Sequence, residues 1–196
     1  MKRSILTMIA VLVLAIPVFS YASTWQIDPD HSSFQFKVRH LTVSNVKGEF
    51  NKTRGAVTMD DRDITHLKVD VTIDAASVNT NHAKRDEHLR SPDFFDVIKY
   101  PTITFVSKKV IQADMTRLRV IGDLTIHGVT REVTVDVEGP TGEVKDPGGN
   151  FRRGATATAK INRRDFGITW NKALDTGGLL VGDEVEIYVE VELIKK

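Results

Sequence analysis

Cysteine is absent from all 196 residues. That removes a disulfide framework, a thiolate metal centre and a lipid-modified cysteine anchor together. A stable fold must therefore rest on a packed interior. No sign of charge prevails either, with 27 Lys and Arg against 26 Asp and Glu, interleaved along most segments. Nucleic acid is not an expected partner, because phosphate binding shows as a clustered basic face; the charges read as a solvated exterior. Tryptophan is scarce, at two in the chain. No internal repeat, phosphate loop, dinucleotide fingerprint or nucleophile elbow is present.

Long apolar runs are also rare, and the one that stands out lies at the start. Met1, Lys2 and Arg3 supply a positive n-region, and Ile5 to Val18 form an apolar stretch interrupted by Thr7 and Pro17. That stretch is shorter than the roughly 20 residues needed to span a bilayer. Its layout is that of a secretory signal peptide, with small residues in Ser20-Tyr21-Ala22 placing cleavage after Ala22. The expected mature chain is then residues 23–196, one domain long enough to bury a core unaided, in the periplasm.

What fills the rest is alternation. Phe34, Phe36 and Val38 are separated by Gln35 and Lys37, and Leu67, Val69, Val71 and Ile73 by Lys68, Asp70 and Thr72. Val185, Ile187, Val189, Val191 and Leu193 alternate with Glu186, Tyr188, Glu190 and Glu192. This is the period of a half-buried strand. Weaker alternation at Val57 and Met59, Ile103 and Phe105, Leu118–Ile126, Val133–Val137 and Ala155–Ile161 brings the expected number of strands to about eight to ten. One polar face and short links predict antiparallel pairing, with a hairpin turn at Ile126-His127-Gly128-Val129-Thr130. Periodicity does not separate a closed barrel from a sandwich. Residues 79–100 read as a short helix followed by an ordered loop, and residues 139–154 and 171–183 as loops rich in glycine.

Six histidines raise the question of a metal, but none has zinc-ligand spacing. His31, His40, His88 and His127 would have to converge through the fold; the expectation is no metal and no cofactor. Asp30, His31 and Ser32 carry the residue types of a catalytic triad. Adjacent strand residues point to opposite faces, which argues against one.

Three stretches resemble the YceI family of exported bacterial lipid-binding proteins. The first is Trp25-Gln26-Ile27-Asp28 with Asp30-His31-Ser32-Ser33-Phe34. The second is Ser77-Val78-Asn79-Thr80, Arg85-Asp86-Glu87-His88-Leu89-Arg90-Ser91, Asp93-Phe94-Phe95-Asp96, Tyr100-Pro101 and Ile103-Thr104-Phe105. The third is Gly122-Asp123-Leu124-Thr125-Ile126-His127-Gly128-Val129-Thr130 with Arg164-Asp165-Phe166-Gly167-Ile168. The resemblance implies an all-β protein, an extended antiparallel lipocalin-like barrel with one short helix and loop insertion around residues 80–100. It also implies an apolar tunnel holding a polyisoprenoid or similar long chain, and no catalytic residues.

An eight-stranded barrel is about wide enough to be filled by its own side chains or to hold one small ligand. Ala155, Ala157 and Ala159 are too small to fill the centre; they would either leave room for a guest or accommodate bulky neighbours across a tight core, and it is mainly the resemblance to the family that favours the guest. The expected tunnel lining is Phe34, Phe36, Val38, Phe50, Val69, Val71, Ile103, Phe105, Leu124, Ile126, Ala157 and Ile187. Arg85, His88, Leu89, Phe94, Phe95 and Trp170 are the expected entrance or head-group contacts, although Arg85 and Asp86 would equally well fix the helix to the barrel rim. The expected partner is a long-chain lipid such as a polyisoprenoid, an isoprenoid quinone or a fatty-acid-like chain. The protein would act as monomer or homodimer, with transient membrane contact through Tyr21, Trp25 and Trp170. Two other readings stay open at this point: a hydrolase or isomerase acting on a lipid, with an ionisable pair inside the tunnel, and a solid β-sandwich interaction module.

Overall fold

The alternating segments become strands of one continuous antiparallel sheet in the computed structural model, which describes residues 22–60, 62–174 and 177–196. The leader expected over residues 1–22 lies outside them, apart from Ala22. Twelve strands occur among the described residues: β1 (Ala22–Ile27), β2 (Ser33–His40), β3 (Ser44–Phe50), β4 (Thr53–Asp60), β5 (Lys68–Asp74), β6 (Val78–Asn79), β7 (Thr102–Gln112), β8 (Arg117–Ile126), β9 (Val129–Glu138), β10 (Val144–Lys145), β11 (Phe151–Asn162) and β12 (Val181–Lys195). The one α-helix among the described residues, α1 (Ala83–Arg90), follows β6. Eight strands close a ring in the order β1, β4, β5, β7, β8, β9, β11, β12 and back to β1.

The long last strand explains why the barrel is extended. One edge of β12 pairs with β11 from Glu184 to Ile194. Its other edge is shared end to end: β1 takes Leu193–Lys195 and β2 takes Val181–Glu190. Beyond the closed ring, β2, β3 and β6 carry the wall onward, and α1 with the residues after it covers the side that hydrogen bonds leave open.

Turn chemistry accounts for what the alternation shows and what it hides. His127 and Gly128 both have positive φ (52° and 73°), the two-residue geometry that matches the twist of a hairpin, so β8 and β9 meet where the sequence places them. The β2–β3 turn uses Leu41 and Thr42 at φ 53° and 62°, residue types that rarely adopt that region. Arg39 holds it, donating from Nε and Nη2 to the Thr42 carbonyl at 3.0 and 2.7 Å. In β7 a bulge between Ser107 and Lys109 shifts the register, so the inward set changes from Ile103 and Phe105 to Val110. Gly122 on β8 lies under the Phe105 ring; a Cβ there would sit 2.6 Å from the ring edge.

Two apolar clusters mark the ends of the barrel. One gathers Trp25, Ile27, Val57, Met59, Leu118, Val120 and Leu193; the other gathers Phe94, Ile103, Leu124, Ile126, Ile161, Phe166 and Ile168. Trp25 is fully buried, its indole N–H donating to Ser23 Oγ at 2.8 Å. This corrects the expectation that Trp25 touches a membrane: strand parity turns it inward with Ile27.

The stretch 139–154 is not one loop. Val144 and Lys145 pair with Arg152 and Phe151, so β11 begins at Phe151, before the glycine-rich composition ends. Arg152 then ties this hairpin to the barrel, donating to Asp146 (2.6 Å), to Asp28 (2.7 Å) and to Glu192. The Arg152 guanidinium holds Asp28 at about 2 against the opposing effect of burial, with help from His31 and the Asp30 N–H. It holds Asp146 at about 2 as well, together with the Asn150 N–H. Both carboxyls sit below their unfolded values near 3.9, so the stability they contribute is complete above about pH 4 and is lost as pH falls toward 2. His31, raised chiefly by its hydrogen bond to Asp28, works in the opposite sense and its smaller contribution fades as pH rises above its unfolded value. In urea melts at pH 7, 4 and 3, the wild type is expected to lose stability between the last two, and Arg152→Met to show a much flatter acid dependence.

Candidate ligand-binding cavity

The inward face of the strands encloses a void rather than a solid core. Val57, Met59, Val71, Leu118, Val120, Leu124 and Ile126, on β4, β5 and β8, are buried. Their counterparts on the opposite wall, Val133, Val135 and Val137 on β9, Ala155, Ala157 and Ala159 on β11, and Val185, Ile187 and Val189 on β12, remain half-exposed although they face inward. The cause is side-chain size at facing positions. Ala157 pairs with Val137 on one side and Val189 on the other, and three short side chains in a row cannot reach the far wall. The void measures about 460 Å³ and touches all of these residues, a volume within the range of small-molecule pockets.

Its chemistry is almost wholly apolar. Apart from the Trp170 indole, the lining residues with polar side chains are Gln35, Arg39, His40, Arg85, His88 and Arg163. Among the described residues no Asp, Glu, Lys, Ser or Thr lines it. All twelve residues expected to line a tunnel, from Phe34 to Ile187, lie on its wall, as do Arg85, His88, Leu89, Phe94, Phe95 and Trp170. Val133, Val135 and Val137, read as an alternating strand, and His40, considered only for a metal, were not among the expected lining residues, and Arg163 carried no apolar signal.

Apart from Gln35, near the start of β2, the polar members gather where α1, the β2–β3 hairpin and the segment leading into β12 meet. Here the helix is fastened by ions. The Asp86 carboxylate accepts from the Thr80 hydroxyl (2.5 Å) and N–H (2.8 Å). Burial pushes this carboxyl up, but those bonds and the charges of Arg90 and Arg85 outweigh it and hold it below its ordinary value. Arg85 donates from Nε to the Thr80 hydroxyl (2.7 Å) and from Nη2 to the Thr80 carbonyl (2.9 Å). Arg90 donates to the carbonyls of Ala76 and Val78, both at 2.7 Å. His88 Nε2 lies 2.8 Å from Asp93, and its ring meets Phe94 and Trp170 edge-on with centroids 5.0 and 4.8 Å away. Phe94 is core and Phe95 packs on Phe50, so the two side by side close one end of the cavity.

On the opposite side of this rim Arg163, buried at the end of β11, donates to the carbonyls of Gly182 (2.9 Å), Ile168 (2.8 Å) and Trp170 (2.9 Å) and to Asp183 (3.1 Å). Burial pushes its pKa down while Asp183 opposes that. The four histidines considered for a metal do not converge: His127 meets Tyr100 edge-on, His88 pairs with Asp93, and His40 lies at the rim. His31 lies with Asp28 and Glu192, donor atoms within 4.8 Å of one another, but Arg152 already occupies both carboxylates. Asp30 and Ser32 join no triad; the Ser32 hydroxyl pairs with the backbone of Glu192.

The family model described as the YceI-like domain matches residues 25–193. The chain belongs to the YceI family. A UPF0312 protein of Staphylococcus aureus is 42% identical over 171 residues, 87% of this chain and 96% of that protein. Among solved structures, the Campylobacter jejuni YceI protein superposes with a TM-score of 0.68 at 36% identity, covering 81% of this chain and 90% of that one. A polyisoprenoid binding domain from Saccharophagus degradans shares the fold, with a TM-score of 0.64 at 15% identity over 88% of this chain and 98% of that domain. The match to the YceI-like domain spans all the elements that build the cavity, from Trp25 in the closed end to Leu193 in β12.

Proposed function

We propose that this YceI-family protein is a periplasmic carrier that sequesters one long apolar chain, such as a polyisoprenoid, an isoprenoid quinone or a fatty-acid-like tail, inside its barrel. The observation that carries the reading is the void of about 460 Å³ with an apolar wall. A chain of about twenty carbons exposed to water would cost well over 10 kcal/mol, at roughly 0.8 kcal/mol per methylene. A sheath of Val, Ile, Phe and Ala removes that cost without any bond being made. The leader-like residues 1–22 support export, and the polyisoprenoid-binding neighbour of the same fold supports a lipid over a polar solute.

Catalysis is the weaker reading. A hydrolase or isomerase acting on the bound chain needs a nucleophile or an acid and base beside it; among the described residues the wall offers no carboxylate, hydroxyl or amine side chain, and of its two histidines His88 is paired with Asp93 and His40 has no hydrogen-bonded partner to orient it. The solid sandwich module gives way to the closed ring of strands. Extraction of protein purified gently from its native host, followed by mass spectrometry, is expected to yield one long-chain species at close to one per protein. Protein that is empty, and that takes up no long-chain lipid when offered it, would sink the carrier reading.

A further inference from the structure

The cavity has a sign of charge as well as an apolar wall. Among the described residues every ionisable side chain on it is a cation or a histidine, namely Arg39, His40, Arg85, His88 and Arg163, and most are already engaged. The Arg163 fork is spent on carbonyls and Asp183. Arg39, on the outward parity of β2, bonds to Thr42 and Asn45. His88 is paired with Asp93. Arg85 is different. Its Nε and Nη2 are fixed on Thr80, and Nη1 has no hydrogen-bond partner among the described residues. The imidazole of His40, on the inward parity of β2, has none either.

Thr80 is itself buried, and its methyl lies against Gly48 beside the Phe36 ring. The Arg85 guanidinium is thus held rigidly where the aromatic wall begins. Its nearest acid, Asp86, spends one oxygen on Thr80 and serves two guanidiniums, those of Arg85 and Arg90. Glu87 and Lys84, of opposite charge, are both exposed. The Asp93 carboxylate is exposed and turned to His88. Arg85 Nη1 is therefore the unspent cationic donor on the inner side of this rim, beside an apolar channel where electrostatic attraction is stronger than in bulk water.

We propose that the head of the bound chain is an anion, a carboxylate or a phosphate, held at the mouth by Arg85. This rests on the carrier reading and narrows it. A planar guanidinium with a free N–H suits either anion, whereas a neutral alcohol or ketone would leave the charge unanswered.

The test uses the full mature chain, stripped of lipid, and three probes that share one tail: hexadecanoate, hexadecyl phosphate and hexadecan-1-ol, each titrated by calorimetry. At least one anion is expected to bind about tenfold or more tighter than the alcohol, as a charge-assisted hydrogen bond predicts, and comparison of the two anions separates carboxylate from phosphate. Arg85→Gln, whose amide can still donate to Thr80, should bring the ratio of anion to alcohol affinity to within about twofold, and Arg85→Lys should keep most of it. An alcohol that binds wild type as tightly as both anions overturns the proposal while the carrier reading stands, and so does an Arg85→Gln protein, folded by circular dichroism, that keeps the preference. If no probe binds wild type, both fail. The wild-type ratio decides alone if neither variant folds.

Discussion

Ala157→Phe is expected to weaken binding of a long-chain ligand at least a hundredfold and to leave the barrel folded. Ala157 faces the void from the middle of β11, between Val137 and Val189, so a phenyl ring there points into the space the chain would occupy. Excluding about four methylenes at roughly 0.8 kcal/mol each removes about 3 kcal/mol of binding, which is a little over a hundredfold. Overpacking strains a filled core, but this site has no filled core to strain, so the thermal midpoint should hold or rise. Thr158→Phe is the control: Thr158 is the exposed neighbour on the outer face, and the same bulk added there should not alter affinity. Equal binding by Ala157→Phe and wild type would place the ligand elsewhere.

The cavity wall was legible because it follows from parity. Once Phe34, Phe36 and Val38 are read as one face of a strand, and Ala155, Ala157 and Ala159 as another, the contrast in size implies space between them. The hairpin at His127-Gly128 was legible for a related reason, since its turn residues announce the geometry. Parity fails where the backbone breaks step. The bulge at Ser107–Lys109 inverts the inward set of β7, which hides Val110 from a reader who continues from Phe105. β3 was missed because its entry turn is made by Leu41 and Thr42, which carry no turn signal; the Arg39 side chain holds that turn, and it does so through a contact no local pattern encodes. β1 was missed because it directly follows an apolar leader, and the first residues of β11 because they follow a run of glycines. The reading of Arg85 and Asp86 as anchors fits the Thr80 contacts, yet the same contacts leave Arg85 Nη1 unspent, and only coordinates separate those two facts.

Arg163 illustrates the largest gap between pattern and structure, and its removal is expected to give the largest loss of stability. It stands just after the inward-facing Ile161, and nothing in its surroundings marks it as core. In the fold it is 5% exposed and gathers the carbonyls of Ile168, Trp170 and Gly182 together with Asp183, which fastens both ends of the connection between β11 and β12 to the rim. Methionine keeps most of the volume but leaves those acceptors without a donor, and truncating one partner of a buried ionic network costs about 3–5 kcal/mol. For a domain of this size that corresponds to a fall in Tm of roughly 10 °C. Arg163→Lys restores the charge but cannot spread its donors across three carbonyls and a carboxylate, so it should recover less than half of the loss, whereas Asp183→Asn should be mild because its partially exposed carboxylate is one acceptor among several. Local exchange sharpens the test. Amide protection in residues 168–174 and 177–182 should fall in Arg163→Met before that of β8 and β9, and ligand should dissociate faster, since Trp170, Leu180 and Val181 line the cavity from this segment. A Tm within 2 °C or so of wild type would show that water replaces the guanidinium at little cost, which the domain-size scaling places below about 1 kcal/mol, and that the rim does not depend on it.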